Sequence, residues 1–420
     1  MIRRTSSIVT MAVLLLLTLL APALAETAAE PVAEPLEVIV KLSATPGSLV
    51  DLAKEMEAVA VEPVLPGRNI YLVKSSHTVI YKDDGTAKLD GDGKKWLKDA
   101  VRKYPTTVWA EARFQQTVDD DRFHAWPESS PAAAEETDMA GQPAFDDLAL
   151  QEAHALSRGL GSVIAVLDTG VDPTHPLLAS RLLDGYDLVD DDWAPVDEGD
   201  GLDGDGDGLI DEAYGHGTFI AGIVAQLAPE AAIVPIRVLD ADGRAELYAV
   251  IEAIDMAIEM EVDVINMSFG ILGRGRSNAL DKALKRAHKA GIVVVAAAGN
   301  TGESGEYYPA AAKDVIAVTA LGEDGTLLAP FSNHGKWVHV AAPGVDIVSA
   351  VPGGGYAKWS GTSMATPVVS SLGGLLFDHA PDENGKAVSK AILDGARKMD
   401  SKERADKGII DVLGSFEKIR

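Results

Sequence analysis

From about residue 148 onward, short unbroken apolar runs alternate with longer stretches whose apolar residues recur every three or four positions. The runs lie at 162–167, 232–236, 262–266, 292–297 and 315–318. Continuous apolar strands belong to sheets buried on both faces. The stretches at 217–226, 247–259, 277–290 and 363–377 have helical spacing. Together they predict a three-layer α/β/α domain around a mostly parallel sheet, whose chemistry gathers at the carboxyl ends of the strands. The first third reads differently. Residues 36–42 alternate like a half-buried strand, 48–56 are helical, 69–73 and 107–110 are strand-like, and 94–104 place Trp96, Leu97 and Val101 on one helix face. This predicts a small α+β unit with antiparallel strands. Residues 128–141, rich in Ser, Pro, Ala and Glu, read as a linker.

Length and composition add boundaries. The chain has 420 residues and is 47% hydrophobic, enough for one large domain and a smaller one. Arg3 and Arg4 precede an apolar run at 8–21 that Pro22 breaks, and Ala23-Leu24-Ala25 supplies small residues. The run is short for a membrane span and has the order of an export signal cleaved after Ala25. The expected division is a signal at 1–25, a spacer at 26–36, a small domain at 37–117, a linker at 118–145 and a large domain at 146–420. The product is expected outside the cytoplasm, extracellular or periplasmic, a monomer with no membrane attachment once the signal is gone. Cysteine is absent, which excludes disulfides and thiolate chemistry. A formal charge of −27 excludes nucleic acid as a partner, because phosphates would be repelled.

The candidate chemistry lies at the ends of these runs. Ser363 opens a predicted helix within Gly361-Thr362-Ser363-Met364-Ala365-Thr366-Pro367, where free N–H groups favour a developing anion. His216 opens another, within Gly215-His216-Gly217-Thr218, and Asp168 follows an apolar run as Asp168-Thr169-Gly170. A serine hydroxyl needs an imidazole to take its proton, and the imidazole needs a carboxylate to hold its tautomer. Asn300 ends a run as Ala296-Ala297-Ala298-Gly299-Asn300, with a side-chain amide able to donate to an oxyanion. Singly, each has an ordinary alternative: a strand-end cap, a structural histidine, a helix cap, a turn asparagine.

Taken together, in the order Asp, His, Asn, Ser, these motifs resemble the subtilisin family of serine proteases from about Leu148 to beyond Ala391. The resemblance implies that Asp168, His216 and Ser363 form the triad and that Asn300 is the oxyanion donor of a serine endopeptidase. Val262-Asp263-Val264-Ile265-Asn266-Met267-Ser268-Phe269-Gly270 and Ala341-Ala342-Pro343-Gly344 extend it. It implies further that Ser268, Phe269 and Gly270 form a strand beside the substrate backbone, with Gly243, Arg244 and Ala245 on the other side. Ala297 and Gly299 would line the primary pocket, which Tyr307 and Tyr308 would narrow, and Arg244 would favour acidic side chains further up the substrate. The small domain resembles the family's propeptide, expected to be ferredoxin-like, to act as an intramolecular inhibitor and to leave by self-cleavage. Polypeptides are the implied substrates. Phe219 departs from the pattern, standing where the family has a second histidine, and a calcium-binding insertion near Leu227 is missing.

A second motif is independent of the triad. Asp203, Asp205, Asp207 and Asp211 stand at positions one, three, five and nine of a loop with Gly208 at six, the spacing of a calcium loop. Leu209 would add its carbonyl, Glu212 would replace the usual glutamate at twelve, and Leu209 with Ile210 would anchor the loop. Asp187, Asp190, Asp191, Asp192, Asp197, Glu198 and Asp200 precede it with no positive partner nearby in sequence. The expectation is an exported, self-processed serine endopeptidase stabilised by Ca2+. The alternative is a catalytically silent, calcium-dependent binding scaffold.

Overall fold

The computed structural model describes residues 33–81, 87–89, 92, 95–96, 107–113, 123–124, 131–204, 206–272, 277–401 and 404–419. The export signal, most of the predicted 94–104 helix and Asp205 lie outside these residues. The N-terminal unit comprises β1 (Ala33–Leu42), α1 (Leu49–Glu55), β2 (Ala60–Leu65), β3 (Ile70–Tyr81), β4 (Ala87–Leu89) and β5 (Thr107–Arg113). The strands form one antiparallel sheet in the order β2-β3-β1-β5, with β4 added to β3. Alternation along β1 sorts its side chains between two faces. Leu36, Val38 and Val40 pack with Leu52, Met56 and Trp96, while Ile39 joins Leu65, Ile70 and Leu72 in a core shared with the large domain.

Two short strands follow, β6 (Phe123–His124) and β7 (Ala132–Ala134), and then the helix α2 (Glu136–Ala140). Residues expected to be only a linker thus carry secondary structure. β7 has a partner edge to pair with, and the Glu135 N–H is accepted by Asp138, closing the start of α2.

The large domain contains β8 (Val163–Asp168), β9 (Tyr186–Asp187), α3 (His216–Leu227), β10 (Ala232–Arg237), β11 (Arg244–Ala245), α4 (Leu247–Glu259), β12 (Val264–Met267) and β13 (Ile271–Leu272). It continues with α5 (Asn278–Ala290), β14 (Val293–Ala297), β15 (Tyr307–Tyr308), β16 (Ile316–Leu321), β17 (Val340–Pro343), β18 (Ile347–Val351) and β19 (Gly355–Trp359). Helices α6 (Thr362–His379) and α7 (Gly385–Gly395) and strand β20 (Gly408–Ile409) follow. Eight strands form a parallel sheet in the order β20-β17-β16-β14-β12-β8-β10-β9. The five apolar runs and four helical stretches fall on β8, β10, β12, β14, β16 and on α3, α4, α5, α6. Along β8, Ile164 and Val166 face the core beneath α3 and α6, and Ala165 and Leu167 face the core beneath α4 and α5. The chain runs to β10 on one side of β8 and then to β12 on the other. That reversal opens the crevice in which such sheets place their sites.

Several contacts tie the units together. β6 pairs antiparallel with β11, His124 opposite Arg244 and Phe123 opposite Ala245, and β7 extends the β18–β19 hairpin. On α4, Glu252 is fully buried and meets Lys41 at 2.6 Å and Arg68 at 2.6 Å, both from the N-terminal unit. Arg68 also reaches Glu259 at 2.8 Å. Removing one partner of a buried ion cluster leaves charge uncompensated. Glu252→Ala should therefore cost about 3 kcal/mol, measured by urea unfolding of the full chain. A change within experimental error would contradict the cluster's role in holding the units together.

Candidate active site

Each chemical side chain arrives from an element whose position the sheet determines. Asp168 is the last residue of β8, His216 the first of α3, and Ser363 lies in the first turn of α6. His216 Nδ1 lies 2.6 Å from Asp168 Oδ1, and both side chains are fully buried. The same Asp168 oxygen accepts the Thr169 N–H at 2.9 Å. With its Nδ1 proton held by Asp168, His216 presents Nε2 as a base, and Nε2 is a buried nitrogen with no hydrogen-bond partner. Behind the imidazole, Trp359 stands edge-on at 5.7 Å between ring centres and packs in turn on Phe219. An aromatic wall therefore occupies the side where the sequence departs from the family pattern.

Ser363 is not hydrogen-bonded to His216. Its hydroxyl donates to the Ser268 carbonyl at 2.8 Å, while Ser268 Oγ donates to the Ser363 carbonyl at 2.9 Å. Asn266 Nδ2 supports Ser268 Oγ at 3.0 Å, and Ser370 Oγ donates to Asn266 Oδ1 at 2.8 Å. This polar chain fastens the end of β12 to α6. Asn266 and Ser370 were not anticipated, although a buried amide inside an apolar run was a legible signal.

Asn300 Oδ1 accepts from the Thr362 N–H at 2.9 Å and from Thr362 Oγ1 at 2.8 Å. Two donors on the carbonyl end orient Nδ2 as the donating end. Asn300 thus faces the start of α6, beside Ser363.

The expected substrate residues are dispersed around this centre. Ser268 and Phe269 are buried and lie between β12 and β13, not in a strand. Gly270 forms a bridge leading into β13, which pairs with β15 at Tyr307 and Tyr308. Gly243 turns the chain into β11. Ala297 is buried at the end of β14, and the Tyr307 ring lies close against Gly299. Arg244 corrects an expectation. Its side chain is buried, and its guanidinium lies 3.5 Å from Asp240 and 3.7 Å from Asp242, so it is engaged within the domain and not offered to an acidic substrate.

The acidic region also differs from its sequence reading. Arg237 pairs with Asp187 at 2.8 Å and Asp190 at 2.6 Å, supplying the positive partner that the local sequence lacks. In the loop, Asp203 accepts the N–H groups of Gly206 and Gly208, Asp207 accepts that of Leu209, and Asp211 those of Asp200 and Gly201. Leu209 and Ile210 are 56% and 60% exposed and anchor nothing. The loop is held instead by Asp242, which accepts the N–H groups of Gly204 and Asp211. Among the described residues no three carboxyl or imidazole groups converge as a metal site.

The turn after β8 and the start of α3 interlock closely. A Cβ on Gly217 would lie 2.1 Å from the Gly170 carbonyl oxygen. Gly217→Ala should force the two turns apart and lower kcat at least about 100-fold, because small misplacements of reacting groups have effects of that size. Steady-state kinetics on the folded variant check this, and a kcat near wild type would show that the turns tolerate separation.

Comparison with known proteins agrees with this architecture. The profile of the Subtilase family matches residues 159–413. The Thermophilic serine proteinase of Bacillus sp. (strain AK1) is 41% identical over 57% of this chain, and the chain spans 57% of that protein's length. Subtilisin of Bacillus pumilus is 36% identical over 60% of this chain and 90% of its own. A solved structure of the proteases from Pseudoalteromonas arctica PAMC 21717 superposes with a TM-score of 0.60 at 27% identity, covering 69% of this chain and 99% of that one. A buried Asp–His pair at the sheet's reversal, a serine at a helix start and a family match over more than half the chain lead to one conclusion: this chain belongs to the subtilase family of serine proteases.

Proposed function

We propose that the protein is a serine endopeptidase that cleaves extended polypeptide segments through Asp168, His216 and Ser363. The observation that carries this reading is the His216 ring, held by Asp168 at one nitrogen and unpartnered at the buried other. In the proposed reaction Ser363 turns its hydroxyl from the Ser268 carbonyl toward Nε2. The proton passes to His216 as Oγ attacks the scissile carbonyl, and His216 returns it to the leaving amine. Water then repeats the sequence on the acyl-enzyme. Asn300 Nδ2 and the Ser363 N–H meet the oxyanion. The primary pocket is proposed to lie at Ala297 and Gly299, with Tyr307 as its aromatic wall, and the substrate backbone between the Gly243–Ala245 edge and Ser268–Gly270.

The N-terminal unit is proposed to be a propeptide that inhibits the enzyme until removed. Supporting this, β6 already occupies the β11 edge where a substrate strand would lie. The chain passes from β6 on that edge to β7 beside β19, four residues before Ser363. Self-cleavage is therefore proposed within residues 125–131. The export signal makes the processed enzyme an exported one. No helix of the described residues is long and apolar enough to cross a membrane.

Calcium is proposed for the 203–212 loop. The donor set suits it: hard carboxylate oxygens from Asp203, Asp205, Asp207 and Asp211, the Leu209 carbonyl, and Glu212 nearby. The Asp203 oxygens, Asp207 Oδ1 and Asp211 Oδ2, each accepting a backbone N–H, keep a lone pair for a cation. Bound there, Ca2+ would neutralise packed like charges and stiffen the loop that leads into α3.

A fluorophosphonate probe should label Ser363 in processed protein. Ser363→Ala should abolish both labelling and self-processing, and N-terminal sequencing of the wild-type product should begin within 126–132. An unlabelled wild type would point to the silent scaffold. Separately, chelation should lower the melting temperature of the processed enzyme and calcium should restore it; an unchanged melting temperature would remove calcium from the account.

A further inference from the structure

Asp197 is a buried carboxylate that the proposed reaction does not use. It lies in the acidic stretch between β9 and α3, and it is 4% exposed. Four donors converge on it. Oδ1 accepts from Thr169 Oγ1 at 3.1 Å and from the Gly215 N–H at 3.0 Å. Oδ2 accepts from the Thr218 N–H at 3.0 Å and from Thr218 Oγ1 at 2.6 Å. Thr169 Oγ1 in turn accepts the Gly217 N–H at 2.9 Å. The main chain adds to this, since the Asp197 N–H donates to the Val171 carbonyl at 3.1 Å.

The placement of these donors is informative. Thr169 is the residue after Asp168, and Gly215 and Thr218 bracket His216. One carboxylate therefore holds the immediate neighbours of both members of the Asp168–His216 pair. It also supplies the negative cap that α3 otherwise lacks, because Gly215 at the helix entrance has no side chain. An isolated structural acid would need only one of these anchors.

We propose that Asp197 is a positioning residue for catalysis, whose ionised form sets the spacing and alignment of Asp168 and His216. It touches no reacting atom and acts through Thr169, Gly215 and Thr218. This rests on the protease reading above.

The groups facing Asp197 make its ionisation sensitive to acid. Asp168 approaches from β8, and Tyr214 stands at the entrance to α3. Burial pushes its carboxyl up to about 6, with Asp168 adding to the rise against the hydrogen bonds from Thr218 and Gly215. As pH falls through that value the carboxylate gains a proton and loses acceptor capacity toward the turn and the helix start. The acid limb of the activity profile thus includes Asp197.

The test is Asp197→Asn in processed enzyme, with active sites counted by the fluorophosphonate probe. The amide keeps one acceptor but turns N–H groups toward existing donors. We expect kcat per labelled site to fall about 100-fold, as for small misplacements of reacting groups, with KM little changed and a shallower acid limb. A merely structural role would reduce the number of labelled sites and leave kcat per site and the limb unaltered; that result overturns the proposal. If Asp197→Asn does not accumulate folded, Thr169→Val carries the test. It removes the hydroxyl linking Asp197 to Gly217 with little change of shape, and Thr169→Ser should restore the activity it loses. A Thr169→Val enzyme with wild-type kcat also overturns the proposal. A wild type that the probe fails to label would instead refute the protease reading, which separates the two failures.

Discussion

The contact on which the site depends is the buried approach of the Asp168 carboxylate to the His216 imidazole. Withdrawing an ionisable group from water costs several kcal/mol unless its partners are well placed. Here the partners are placed by backbone. Asp168 is held by the parallel register of β8 with β10, and the Thr169 N–H meets its carboxylate. His216 is held by a helix whose first residues pack directly on the Asp168-Thr169-Gly170 turn, with no room even for a methyl group at Gly217. The pair is therefore a property of how two elements meet, and the loops around it serve that meeting.

Much of this could be read before any coordinates. The unbroken runs at 162–167 and 292–297 carried the central strands because burial on both faces removes polar positions. Other parts could not be read. β9 and β20 are two-residue strands, too short for a periodic signal. Arg237 lies 50 residues from Asp187 in sequence, and only the pairing of β10 with β9 brings them together. Asp197 looked like one more acid in a charged run; its role emerges only when the fold surrounds it with donors from β8 and α3. Arg244 misled for the same reason: the acids that occupy it, Asp240 and Asp242, stand beside it in sequence, but which way its side chain turned was a tertiary matter.

The N-terminal unit is joined to the large domain by two unlike surfaces. One is an apolar patch, where Ile39, Leu65, Ile70 and Leu72 join the α4–α5 core. The other is a charge cluster, in which Lys41 and Arg68 neutralise Glu252. Apolar burial supplies affinity with little directionality, whereas the ion cluster fixes orientation through paired donors. The following strand β6 pairs with the β11 edge of the same domain.

Helix α6 is buried along its whole length from Thr362 to Phe377, between the sheet and α3. Ser363 consequently sits on a deeply enclosed helix, not on a surface loop. Partial fraying should spare such a segment, since local openings begin where few apolar contacts hold the chain. Loss of turnover on heating ought to coincide with collapse of the entire domain, which makes residual hydrolysis a direct count of intact molecules.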